Sequence, residues 1–185
     1  MSIGYPLPDV EVRLVGADAP ERGALEVRCP AVMRGYLNLP KVNAEVLNDG
    51  WYKTNDILRR DEHDFYYFVG RADDMFVCNG ENVFPAAVET LLEKHPAVLQ
   101  ACVVPATDAQ RGHVPIAFVV LRPGTESSDE ELRAYTIANG PPVQHPRKVV
   151  FLDELPLLGS NKLDRGKLRL EAERIAAQGA SGSVH

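Results

Sequence analysis

The run Gly70-Arg71-Ala72-Asp73-Asp74-Met75-Phe76-Val77-Cys78-Asn79-Gly80-Glu81-Asn82-Val83-Phe84-Pro85 constrains this chain more than any other segment. Arg71, Asp73 and Asp74 are too polar for a strand interior, whereas Met75-Phe76-Val77-Cys78 is apolar and β-prone, so the charges occupy a bend entering a strand. Asn79-Gly80-Glu81-Asn82 offers positions that tolerate positive φ, and Pro85 stands where the first turn of a helix accepts a residue without an N–H. Strand, tight turn and helix in succession would aim backbone N–H groups at an adjoining cleft. Spacing alone favours a structural turn, because glycine loops are common.

The pattern differs on the two sides of this run. Before it, residues 10–15, 25–29 and 65–69 alternate in the strand manner with Gly, Pro and Asp clusters between them. Residues 43–47 form at most a helical turn ahead of the Asn48-Asp49-Gly50 turn signal. After it, helices and strands alternate. Residues 85–95 carry Val88, Leu91 and Leu92 at helical spacing until His95-Pro96, and residues 99–104 and 116–121 are short β-branched strands bounded by Pro105, Pro115 and Pro123. Ser127 followed by Glu130 is a capping-box signature for a helix that Asn139-Gly140-Pro141 stops. Residues 148–152 give another strand; Leu168, Ala172, Ile175 and Ala176 mark one face of a last helix, and residues 180–185 a frayed tail. The expected fold class is α+β, with a β-rich part over 1–72 and a small α+β part over 73–185. No internal repeat or low-complexity block interrupts it.

With 185 residues and 45% hydrophobic content, the chain can bury one modest core or two small ones. A net charge of -6, with basic residues scattered, argues against binding a phosphate backbone, so nucleic acid is not an expected partner. No apolar run approaches the roughly 18 residues needed to span a bilayer, and Met1-Ser2-Ile3-Gly4 lacks a basic start, which gives a cytoplasmic expectation. Cys29, Cys78 and Cys102 are odd in number, far apart and set in apolar surroundings, so reduced thiols are expected, with neither disulfide nor metal site.

Five further blocks keep company with the central run: Gly23-Ala24-Leu25-Glu26-Val27-Arg28, Gly35-Tyr36-Leu37-Asn38, Gly50-Trp51-Tyr52-Lys53-Thr54-Asn55-Asp56, Asp153-Glu154-Leu155-Pro156 and Asn161-Lys162-Leu163-Asp164-Arg165-Gly166-Lys167-Leu168. In this order and spacing the chain, from about Ile3 to about Leu170, resembles the C-terminal part of adenylate-forming, AMP-binding enzymes. These include acyl-CoA and aryl-CoA ligases, nonribosomal peptide adenylation domains and luciferases. The resemblance implies that 1–72 closes a β-barrel subdomain of the large N-terminal domain and that 73–185 is the mobile C-terminal lid. It implies ATP-dependent conversion of a carboxylate, a fatty or aryl acid, to acyl-AMP and then to a CoA thioester. ATP/AMP and CoA would be bound, with magnesium accompanying ATP on ligands outside this chain. The remainder of the AMP-binding domain would be its partner. The family's phosphate loop and acyl pocket lie upstream of the matched part, so the isolated chain is expected to be inactive. Two alternatives stand beside this: an adenylation segment serving a carrier protein, and a non-catalytic module binding nucleotide or a partner.

The resemblance also implies residue roles. Asp56 matches the aspartate that accepts hydrogen bonds from both ribose hydroxyls; without the family it reads as a cap on a turn before Ile57. Arg71 matches an arginine that contacts ribose or phosphate oxygens, and otherwise reads as a surface ion pair with Asp73 or Asp74. Asp73 is at the hinge position. Asn79 and Gly80 match the loop lining the pantetheine tunnel of CoA, and His145-Pro146-Arg147-Lys148 could meet CoA phosphates or be merely exposed. Lys162 is the lysine that would neutralise charge between the substrate carboxylate and the α-phosphate; taken alone it is a solvated loop lysine, and Lys167 is its nearby decoy. Two departures from the family stand out: Asn55 replaces a usual glycine, and the usual Pro-Thr-Ser-Gly run before the lysine is missing, with Gly159 and Ser160 expected to keep that loop flexible.

Overall fold

The computed structural model describes residues 2–181. The chain divides into two units, Met1–Asp73 and Asp74–His185, each built on its own sheet. The fold is α+β, as expected.

In the first unit, β1 (Ser2–Gly4), β2 (Glu11–Val15), β3 (Arg22–Arg28), β5 (Trp51–Arg60) and β6 (Tyr66–Arg71) join in the antiparallel order β1-β6-β5-β3-β2, with α1 (Pro40–Val46) leading into β4 (Leu47–Asn48) beside β5. Asp49 and Gly50, at φ 48° and 79°, make the tight turn between β4 and β5. One face buries Leu14, Leu58 and Tyr66, packed with Val12 and Leu25. Elsewhere on the sheet, Trp51 lies under two guanidinium groups, Arg13 at 4.2 Å and Arg28 at 4.7 Å from the ring centre. Each arginine pairs with the glutamate directly opposite on the neighbouring strand, Glu26 and Glu11 respectively. Cross-strand charge pairs over an aromatic face fasten β2, β3 and β5 without adding core.

The second unit holds β7 (Phe76–Cys78), β8 (Glu81–Val83), α2 (Pro85–Leu92), β9 (Val98–Asp108), β10 (Gly112–Leu121), α3 (Asp129–Asn139), a 3-10 turn over Pro142–Gln144, β11 (Lys148–Phe151) and α4 (Arg165–Ser181). Its sheet runs β11-β10-β7-β8, with β9 against the other side of β10 and only the β10–β11 pair parallel. The core gathers Phe118, Ile116, Leu92, Leu132, Val83, Val88 and the α4 residues Leu168 and Ala172. Ile175 and Ala176 pack against it, as their helical spacing predicts.

β9 is a sheet edge, and its outward N–H groups from Ala101 to Thr107 are accounted for. Ala101 N donates to Glu93 Oε1 at 3.2 Å, Val103 N to Glu89 Oε1 at 2.8 Å, and Thr107 N to Glu173 Oε2 at 3.1 Å. Position 105, which continues this alternation, is proline and has no N–H to satisfy. Three carboxylates and one proline therefore close the edge that would otherwise invite another strand.

Several local expectations are corrected. Asn79-Gly80 does not open a helix directly: at φ 52° and 80° it turns β7 back into β8, and the helix begins only at Pro85. Pro105 and Pro115 do not bound strands; they lie opposite each other inside β9 and β10, as a pair whose N–H positions point out of the shared ladder. The N-cap of α3 is Ser128, whose hydroxyl accepts from Glu131 N at 3.1 Å, while Ser127 donates to the Glu131 carboxylate at 2.8 Å. The box is displaced by one residue because either serine can start the same pattern. The ten-residue strand β5 had no sequence signature, since its apolar positions are interrupted by Lys53, Asp56, Arg59 and Arg60. Of the expected tail, 180 and 181 continue α4, and 182–185 lie outside the described residues.

Replacing Phe118, fully buried in the second unit, by alanine should destabilise it by about 3–5 kcal/mol. Leu37→Ala, at an 87% exposed position, should change stability by less than about 0.5 kcal/mol in the same urea titration. Equal effects would contradict the assigned core.

Candidate functional site

In the first unit, the strand pairing brings Asp56, Arg71 and Asp73 together. Ala24 faces Ile57 but Glu26 faces Lys53, so residues 54–56 of β5 bulge out of the ladder. Asn55 takes φ 65° there, the left-handed conformation that asparagine tolerates and that the expected glycine would adopt freely. Thr54 braces the bulge by donating its hydroxyl to Leu25 O and accepting from Asp56 N, both at 3.1 Å. Asp56 thus sits inside a strand at a bulge and caps no turn. It is the register partner of Arg71 on β6, and Arg71 Nη1 donates to Asp56 Oδ1 at 3.2 Å. The other side of the same guanidinium forks Asp73, Nε to Oδ1 and Nη2 to Oδ2, each at 2.9 Å. Those hydrogen bonds hold the Asp73 carboxyl below its ordinary range, against a smaller opposing effect of burial.

Beside this network opens a pocket of about 300 Å³ lined by Tyr36, Tyr52, Thr54, Asn55 and Arg71. The Tyr36 and Tyr52 hydroxyls lie 3.5 Å apart, and that contact, followed by burial, pushes the Tyr52 phenol up. Asn43 of α1 grips the Tyr36 backbone from both sides, accepting from its N–H at 2.7 Å and donating to its carbonyl at 2.9 Å. Sequence reasoning assigned the two tyrosines no role; their only signal was membership in two glycine-headed blocks, which the connection before α1 and strand β5 bring together.

In the second unit, Asn79 lines a cleft of about 210 Å³ with Cys78, Glu81, Arg111, His145 and Arg147. Asn79 N donates to Arg111 O at 3.1 Å, fixing the turn against the β9–β10 connection. Gly80 is required by φ 80°; a side chain there would meet nothing within 4 Å. Of the basic cluster, His145 and Arg147 face this cleft, with His145 Nδ1 donating to Pro142 O. Lys148 does not: it is tied to Asp129 at 2.8 Å. Arg111 takes its place in the cleft, and nothing in its local sequence announced that. The Cys78 thiol is pushed up by burial, so it stays protonated at neutral pH.

Lys162 lines neither cleft. It is exposed on the loop before α4, and its ammonium has no partner among the described residues. The loop is closed by its own backbone: Leu157 bridges Leu163, Leu158 N donates to Lys162 O at 2.7 Å, and Asn161 N donates to Leu158 O at 2.9 Å. Lys167 lies within the first turn of α4, where its N–H donates to Asp164 Oδ1 at 2.9 Å. Among the described residues no group of three or more His, Cys, Asp or Glu side chains could hold a metal ion.

Residues 87–162 match the model of the AMP-binding enzyme C-terminal domain. The chain is similar to the medium/long-chain-fatty-acid–CoA ligase FadD8 of Mycobacterium tuberculosis, 41% identical over 80% of this chain and 27% of that protein. Among solved structures it is similar to the amide bond synthetase McbA of Marinactinospora thermotolerans, with a TM-score of 0.85 and 32% identity over 92% of this chain and 36% of that one. It is also similar to the o-succinylbenzoate CoA synthetase MenE of Bacillus subtilis in complex with the acyl-adenylate OSB-AMP, with a TM-score of 0.82 and 36% identity over 91% of this chain and 35% of that one. The chain spans about a third of the length of the relatives it matches.

The lowered Asp73 carboxyl contributes stability that is present above the ordinary aspartate pKa and is lost as pH falls through the lowered one. A carboxyl carbon NMR titration should place the Asp73 midpoint below that of ordinary aspartates, and Arg71→Gln should raise it. An unmoved midpoint in that variant would disprove the pairing.

Proposed function

Because this chain belongs to the adenylate-forming, AMP-binding enzymes as a segment of their C-terminal part, we propose that it completes an ATP-dependent acyl-CoA or aryl-CoA ligase. In the first half-reaction a carboxylate oxygen attacks the α-phosphorus of ATP, and pyrophosphate leaves with the electrons of the broken P–O bond. In the second, the CoA sulfur attacks the acyl carbon, AMP leaves, and the thiol proton passes to solvent.

One observation carries the reading for this chain: Asp56 and Arg71, distant in sequence, are joined at 3.2 Å beside a pocket of about 300 Å³. A carboxylate offers two acceptor oxygens to the paired hydroxyls of a ribose, and a guanidinium offers several donors to neighbouring oxygens. In this reading Arg71 exchanges its carboxylate partners for oxygens of the nucleotide. Asp73, the last residue of the first unit, serves as the hinge about which the second unit rotates between half-reactions. Lys162 brings its ammonium to the reacting carboxylate and α-phosphate, where negative charge grows in the transition state. Asn79 and Gly80 line the path of the pantetheine arm, and Arg111 and Arg147 give that cleft the positive charge suited to an anionic thiol carrier.

Magnesium would enter with ATP on ligands outside this chain; among the described residues no group of three or more His, Cys, Asp or Glu side chains could hold it. The reading carries a cytoplasmic location; no helix among the described residues is long and apolar enough to cross a membrane. The similarity to an amide bond synthetase supports a second reading of the final step alone, with an amine in place of the thiol as acceptor. Presenting the full-length enzyme with CoA and with amines separates the two.

In the full-length enzyme that contains this segment, Lys162→Ala should reduce acyl-AMP formation by about 10²- to 10³-fold while thioester formation from supplied acyl-AMP persists. Undiminished acyl-AMP formation would refute the role of Lys162. The 185-residue chain by itself should form no thioester above background with a broad panel of carboxylic acids.

A further inference from the structure

Arg165 lies three residues beyond Lys162, at the start of α4. Its guanidinium forks Glu89 of α2, Nη1 to Oε1 at 2.8 Å and Nη2 to Oε2 at 3.1 Å, and Nη1 also donates to Val103 O at 3.1 Å. Glu89 Oε1 in turn accepts Val103 N at 2.8 Å, so both backbone polar groups of one β9 residue are taken up by this one ion pair. The Glu89 side chain is only 12% exposed. Burial opposes the Arg165 charge, but the hydrogen bonds and attraction of Glu89 outweigh it and push its pKa up. The neighbouring Cys102 thiol, 3.5 Å from Nη1, is pushed up to about 12 by burial, so it remains neutral and does not compete with Glu89 for the cation.

The hydrogen bonds of the Lys162 loop are local. Asp164 N donates to Pro156 O at 2.8 Å, Leu158 N donates to Lys162 O, and the Leu157–Leu163 bridge completes a closed hairpin. Leu163 and the buried Leu155 seat this hairpin on the core, and Arg165 is the polar bolt that ties its end to the sheet. The body of α4 is held separately by Leu168 and Ala172 in the core, so loss of the bolt loosens the end of the hairpin that carries Lys162 while the rest of the unit stays packed. We infer that Arg165 and Glu89 are positioning residues for Lys162, fixing its loop to the edge of β9 so that the ammonium arrives in register. The inference rests on the adenylation role proposed above for Lys162.

The test measures the two half-reactions separately in the full-length enzyme. Glu89→Gln retains an acceptor for Val103 N–H but loses the charge; Arg165→Lys retains the charge but loses the fork. Both should lower kcat for acyl-AMP formation by about 10- to 100-fold, the scale of a misplacement near 1 Å, with the KM for ATP and thioester formation from supplied acyl-AMP within about twofold of wild type. The double variant Glu89→Arg with Arg165→Glu should recover part of the loss. Equal losses in both half-reactions, or none in either, would overturn the inference. If Lys162→Ala is defective and the Glu89 and Arg165 variants are normal, only the positioning role fails; if Lys162→Ala is itself normal, the role of the lysine fails as well. In the 185-residue chain, tryptic cleavage after Lys162 should quicken about tenfold in Glu89→Gln while sites outside residues 162–167 are cut at unchanged rates. An unchanged rate after Lys162 would also count against the bolt.

Discussion

A strand at the edge of a sheet exposes a row of N–H groups that must find acceptors, and in the second unit that requirement sets how the helices lie. Glu89 of α2 and Glu93, its C-cap one turn on, answer Val103 and Ala101, and Glu173 of α4 answers Thr107. Each carboxylate reaches a particular residue of β9, so the two helices take a defined register along the strand as well as a position beside it. Apolar packing alone specifies position less sharply, because a greasy face tolerates sliding by part of a turn. Glu89 then serves twice, since its oxygens also receive the Arg165 fork. The loop that carries Lys162 inherits its place from the edge of the sheet.

The two units each contain an arginine held by carboxylates, and burial makes them different devices. Arg71 and its partners Asp56 and Asp73 keep 42%, 32% and 52% of their side-chain surface, so the pairing is screened by water and is worth little by itself. Such a contact can give way to another oxygen, as the nucleotide role proposed for Arg71 requires. Glu89 is almost wholly enclosed, and removing the partner of an enclosed charge is expensive because the charge left behind has lost its water. That contact suits a fixture. Similar fork geometry thus supports an exchangeable grip in one unit and a permanent anchor in the other.

The candidate site residues differ in how far sequence could reveal them. Asp56, Arg71, Asp73, Asn79, Gly80 and Lys162 could be named because they lie in blocks of unusual composition at family spacing. Arg111, Tyr36 and Tyr52 could not: an arginine in a turn carries no local mark of the cleft it lines in the second unit, nor do two tyrosines in separate blocks of the pocket they share in the first. The edge-closing glutamates are equally silent, since a glutamate on a helix usually faces water. Lys148 shows the converse, a basic residue in a suggestive cluster whose charge is spent on Asp129.

Local chemistry, which a linear chain displays in full, settled the existence of most elements: Pro85 at a helix start, apolar periodicity over α2 and α4, and the left-handed tolerance of Asn79-Gly80 and Asp49-Gly50. The alternation of elements also pointed to the α+β class, and the order of the motif blocks to the family by resemblance. Tertiary structure decided which of two serines caps α3, that Pro105 and Pro115 lie within strands, that polar β5 is the central strand of its sheet, and which carboxylate holds which cation. Those outcomes depend on hydrogen bonds and ion pairs between residues far apart in sequence, whose energies exist only once the backbone has brought the partners within about 3 Å.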